Sequence, residues 1–127
     1  MTRESFIKEF RGLTLGEISS QSSEEEVFQN STLRPILKLQ NDLIIAVFQS
    51  YLNQNKIPFN DFSLDKKMKT IEVAILKDIS FQNTLRGIVV GLFTVNEFSL
   101  YSNNTSGFNK RIRSMLIERL QSQLQLI

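Results

Sequence analysis

The chain has 127 residues, 41% hydrophobic and 22% charged, with a net charge of +2, a composition that predicts one globular domain over 1–127 rather than a disordered chain. It contains no Cys and no His, which excludes disulfides, thiolate and imidazole metal sites, nucleophilic thiols and catalytic designs built on an imidazole base. Residues 1–30 hold three basic and six acidic groups and the remainder twelve and seven, a basic excess well below that of a dedicated nucleic-acid-binding domain.

In chain order, residues 2–11 read as a short helix without the apolar core of a signal peptide. No later stretch approaches the roughly 20 apolar residues of a bilayer span, so the expected location is cytoplasmic, with no membrane partner. A second helical segment over 14–30 is interrupted by Ser19-Ser20-Gln21-Ser22-Ser23. Thr14 with Glu17, Ser23 with Glu26 and Thr94 with Glu97 have the spacing of capping boxes, in which a hydroxyl and a carboxylate satisfy free amides at a helix start. Pro35 is tolerated in a first turn but removes a hydrogen bond deeper in a helix. That predicts a start close to Thr32 and a long helix over 33–54.

Six consecutive apolar residues, 43–48, predict that this helix is the central one, with a narrow polar strip of Lys38, Asp42, Gln49 and Asn53. Residues 53–60, with Pro58, read as a loop. Ser63 caps a helix over 64–79, followed by helices over 80–93, 95–102 and about 106–126. Ile88-Val89-Val90 is strand-like in type, yet Leu85, Ile88, Val89, Leu92 and Phe93 keep helical spacing. The expected fold is an all-α bundle of five to seven helices.

Stepping residues at about 100° aims several polar side chains inward. Gln40 falls within the apolar arc of the central helix, with Asn41 and Arg34 near its edge. Arg119 and Gln123 fall within the last helix's face of Phe108, Ile112, Met115, Leu116, Ile117, Leu120, Leu124 and Ile127. Glu72 falls within the face of Leu64, Met68, Ile71, Ile75, Leu76 and Ile79. A buried amide without a partner costs about 2–7 kcal/mol. These groups are therefore expected to pair, Arg119 with Glu72 and Gln40 with Gln123 or Asn41. Such pairs either fix helix register, or Gln40, Asn41, Glu72, Arg119 and Gln123 line a pocket for a small polar ligand. Gly87 and Gly91 predict a close backbone approach.

The basic clusters Lys66, Lys67, Lys69 and Lys110, Arg111, Arg113 are either solvated helix faces or weak nucleic-acid contacts; neither carries the aromatic interleaving of a stacking platform. There is no Gly-rich phosphate loop or dinucleotide fingerprint. Asp42, Glu72, Asp78, Glu97 and Glu118 show no paired spacing for a di-metal bundle. No catalytic residue, metal or cofactor is therefore assigned. The wide apolar arcs on the central and last helices predict cover by a partner, with a second copy the first choice.

Phe28-Gln29-Asn30, the run Thr32-Leu33-Arg34-Pro35-Ile36-Leu37-Lys38-Leu39-Gln40-Asn41-Asp42, Asn109-Lys110-Arg111 and Glu118-Arg119-Leu120-Gln121-Ser122-Gln123 resemble a family of short uncharacterised bacterial helical proteins. The resemblance covers nearly the whole chain and implies a helical fold. It carries no catalytic residue. A glyoxalase label loosely attached to that family conflicts with this sequence, because such enzymes use βαβββ units and a metal held by His and Glu. The resulting expectation is a non-enzymatic interaction or assembly protein, with a small-ligand bundle and a weak nucleic-acid binder as alternatives.

Overall fold

Side-chain oxygens start most of the helices. The structure, a computed structural model, describes residues 1–12 and 23–127. Thr2 caps α1 (Arg3–Arg11), Ser23 caps α2 (Glu24–Phe28) and Ser63 caps α5 (Leu64–Lys77). Asp78 caps α6 (Ile79–Val90), Thr94 caps α7 (Val95–Asn103) and Asn104 caps α8 (Thr105–Gln121). The reciprocal box predicted at Thr94 and Glu97 is complete. The one at Thr14 and Glu17, with the first part of the 14–30 segment, lies outside the described residues.

The central path differs from the expected single helix over 33–54. After α2 the chain passes through one π turn (Gln29–Leu33) into α3 (Arg34–Leu39), then α4 (Asn41–Gln54). Pro35 therefore sits inside a helical run instead of just after a start at Thr32. The wider turn accommodates it, with Arg34 N–H reaching back to the Gln29 carbonyl. In an ordinary helix the missing Pro35 N–H would have served the Ser31 carbonyl. That oxygen instead accepts from Arg11 Nη2 at 3.4 Å. A second break falls at Gln40, where φ −91° and ψ 4° interrupt the path and the side-chain amide donates to the Ile88 carbonyl of α6 at 3.1 Å. The predicted loop after α4 contains one 3₁₀ turn (Phe59–Asp61). The last helix stops at Gln121, short of 126, and a 3₁₀ turn (Leu124–Leu126) follows.

The result is an all-α bundle of seven helical segments, counting α2 to α3 as one, with no strand among the described residues. Its core joins Ile44 and Phe48 of α4, Ile71 and Ile75 of α5, Leu85 and Val89 of α6, and Ile112 and Leu116 of α8, all fully buried. α5 packs along α8 and against α6. Around Phe48, Phe59 packs edge-on at 5.6 Å, and Tyr51 stacks on Phe81 at 4.3 Å. At the other end Phe28 meets Phe93 and Phe108 at 5.4 and 4.5 Å.

Two glycines have local reasons. Gly12 ends α1 at φ +79°, where an L side chain is disfavoured. At Gly107 a Cβ would sit 2.6 Å from the Asn104 amide that caps α8. Gly87 and Gly91 do not make the predicted close approach. Both are exposed; a Cβ at Gly87 would meet nothing within 4 Å, and one at Gly91 only the helix's own Gly87 carbonyl at 3.0 Å.

Candidate functional site

The first turn of α4 meets the end of α8 through three side chains. Asn41 Oδ1 accepts from Arg119 Nη1 at 3.0 Å and from Gln123 Nε2 at 2.7 Å. Asn41 Nδ2 donates to Gln123 Oε1 at 2.7 Å. Gln123 Nε2 and Ser122 Oγ also donate to the Arg119 carbonyl, at 3.0 and 2.8 Å, so two side chains following α8 cap one of its last carbonyls.

Of the five predicted polar residues, Asn41, Arg119 and Gln123 converge and Gln40 and Glu72 do not. Gln40 is committed to Ile88. Glu72 is partly exposed and lies 3.9 Å from Lys69, so the expected Arg119–Glu72 pair does not form. Glu72 lies next to the fully buried Ile71, and at the face edge a long carboxylate turns to water at less cost than burial requires.

Beside this cluster is a cavity of about 270 Å³ whose wall includes Gln29, Arg34, Leu37, Met115, Glu118 and Arg119. Arg34 donates through Nε to Asn30 Oδ1 at 2.9 Å. Arg111 Nη1 donates to Gln29 Oε1 at 2.6 Å. Neither Arg34 nor Arg119 makes an ion pair among the described residues. Burial first, and then the positive charge of Arg34, holds the Arg119 guanidinium below its ordinary value. At neutral pH it stays protonated.

A second arginine node was not legible in the sequence. Arg11 of α1 forks onto Glu97 of α7, with Nη2 to Oε2 at 2.9 Å and Nη1 to Oε1 at 2.5 Å. Thr32 Oγ1 and Thr94 N–H donate to the same carboxylate at 2.7 and 2.8 Å. Arg11 also reaches the Leu92 carbonyl at 3.2 Å. The Arg11 side chain is 8% exposed and that of Glu97 18%. Burial alone would raise the Glu97 carboxyl; the hydrogen bonds from Arg11, Thr32 and Thr94 and the Arg11 charge outweigh it and hold the group below its ordinary value. The one local signal was the spacing of Arg11 four residues after Ile7, which is buried.

The basic clusters lie apart. Gln121 of α8 donates to the Met68 carbonyl of α5 at 3.1 Å; this puts Lys66, Lys67 and Lys69 beside the end of α8. Lys110, Arg111 and Arg113 lie about ten residues earlier, roughly 15 Å along the helix. Arg111 is engaged by Glu25 at 3.1 Å. The first cluster does have aromatic neighbours, from the preceding turn: Lys66 lies over Phe62 at 4.1 Å and Lys67 over Phe59 at 5.6 Å.

The apolar arcs expected to need a partner are largely covered by the chain itself. Ile44, Ile45, Phe48 and Leu52 of α4 are buried, as are Phe108, Ile112, Leu116 and Leu120 of α8. On α5, Leu64 and Leu76 and the adjoining Ile79 are exposed despite their place in the predicted face. The exposed aromatic pair is on α1. Phe6 and Phe10 are 54% and 52% exposed, with rings stacked at 6.0 Å and 8°. α1 is fixed beneath them: Arg3 Nη2 donates to the Gly91 carbonyl at 3.0 Å and Glu4 Oε1 accepts from Val95 N–H at 3.0 Å. No helix among the described residues is long and apolar enough to cross a membrane. Comparison with protein-family models, curated proteins and solved structures finds no match.

Proposed function

We propose that this protein works without catalysis, as an interaction or assembly protein, and that it self-associates through the outer flank of α1. The observation carrying this reading is the exposed Phe6–Phe10 stack on a helix held by Arg3, Glu4 and Arg11. A nine-residue helix is marginal alone in water, so long-range anchoring of this one presents two aromatic rings on a rigid base. Aromatic side chains, Phe among them, are enriched at the cores of interfaces, and a fixed base lowers the ordering cost of docking them. A two-fold axis passing between the Phe6 and Phe10 rings would set Phe6 of one copy against Phe10 of the other, the self-complementary arrangement of a closed dimer.

Sedimentation velocity over a wide micromolar range tests the reading. The expected result is a concentration-dependent dimer that the double variant Phe6→Ser, Phe10→Ser converts to monomer. At about 2 kcal/mol per ring, and with each substitution removing a ring from both copies, each raises the dissociation constant by about three orders of magnitude, with helicity unchanged. A wild-type chain that stays monomeric at every concentration would overturn self-association.

A further inference from the structure

We propose that the cavity between α3 and α8 binds a small monocarboxylate, received by the Arg119 and Arg34 guanidinium groups. Several of the N–H groups in this wall are already spent, and those left free define what the cavity can receive. A guanidinium has five N–H donors, and Arg119 commits one nitrogen, Nη1, to Asn41. Its Nε and Nη2, the edge that matches a carboxylate in two parallel bonds, have no partner among the described residues. Arg34 commits only Nε, to Asn30, and keeps both terminal nitrogens. Gln29 gives its oxygen to Arg111, so the end left for the cavity is the amide NH₂. Gln123 is fully used on Asn41 and the α8 carbonyl and acts as a positioning residue.

Charge and size narrow the class. Two arginines and Glu118 leave the wall with one net positive charge, which a monoanion neutralises and a phosphate dianion overshoots. A volume of about 270 Å³ lies just below the roughly 300–1,000 Å³ of ordinary ligand pockets, which limits the ligand to a small one. Leu37, which is buried, and Met115 supply an apolar wall for the body of the ligand.

Isothermal titration calorimetry of the full chain with benzoate, hexanoate and inorganic phosphate at constant ionic strength tests the site. The expected result is saturable 1:1 binding of a carboxylate probe, weakened about tenfold or more in Arg34→Gln and in Arg119→Lys, which keeps the charge but loses the planar fork. Arg34 is exposed, so Arg34→Gln tests the site in a chain that folds normally. Phosphate binding tighter than either carboxylate would overturn the monocarboxylate assignment. Absence of saturable binding, or carboxylate binding unchanged in Arg34→Gln, would overturn the site.

Discussion

Arg11 and Arg119 are both pushed between helices, but only Arg11 finds a carboxylate. Glu97 neutralises it, and Thr32, Leu92 and Ser31 take up other hydrogen-bonding positions around the pair. Arg119 meets a neutral amide from Asn41 and lines a cavity together with a second arginine, Arg34. An arginine set between helices is architectural when its charge is answered within the chain. Where the charge is left over beside open volume, it is available to a ligand.

The largest expected effect comes from breaking the answered charge. Glu97→Ala leaves Arg11 buried without its counter-ion, and urea denaturation should show a loss of about 3–5 kcal/mol. The double variant Arg11→Met, Glu97→Leu should recover much of it, because a well-packed apolar pair can replace a buried ion pair. If the double variant is no more stable than Glu97→Ala, the pair is doing something other than neutralising itself.

Converting the second node into the first kind is the next test. Asn41→Asp supplies Arg119 with a carboxylate and should raise stability by up to about 1 kcal/mol. The same change should abolish carboxylate binding in calorimetry. Destabilisation by Asn41→Asp would mean that the amide's bond to Gln123 outweighs the charge of Arg119.

Acid should then separate the two nodes. The folded Glu97 carboxyl titrates below its unfolded value, near 4.5. Its stabilising contribution is fully present above that unfolded value and is lost as pH falls through the folded one. Urea midpoints of the wild type and Glu97→Gln should therefore converge as pH is lowered from 7 towards 3. A gap that stays constant would show that the carboxylate's charge is not what stabilises the node.

Helix starts and helix pairings differ in how far the sequence records them. Caps at Ser23, Ser63 and Thr94 placed three helix starts because a cap is a local event, readable within four residues. The π turn before Pro35 was not readable that way, since the carbonyl that Pro35 orphans is served by Arg11 from another helix. Helical spacing brought Asn41, Arg119 and Gln123 into one set but assigned Arg119 the wrong partner. A wheel reports the direction in which a residue points, while pairing across helices depends on rotation and register between them. The same spacing puts Arg34 at the edge of an arc, but its role depends on lining one cavity with Arg119, which no spacing along the chain records.

The smallest expected effect follows from that misassigned partner. Glu72 and Lys69 form a loose exposed pair, so Glu72→Ala should change stability by less than about 0.5 kcal/mol. A loss of several kcal/mol would restore Glu72 as an interior partner of Arg119.

One measurement reads both nodes together: ¹H–¹⁵N correlation spectra of the arginine side chains, recorded during a benzoate titration. The expected result is that Arg11 Nε–H exchanges slowly with water and does not move, while the Nε–H signals of Arg34 and Arg119 shift together and saturate. Arg11 exchanging as fast as an exposed arginine, or Arg34 and Arg119 both unmoved by benzoate, would contradict it.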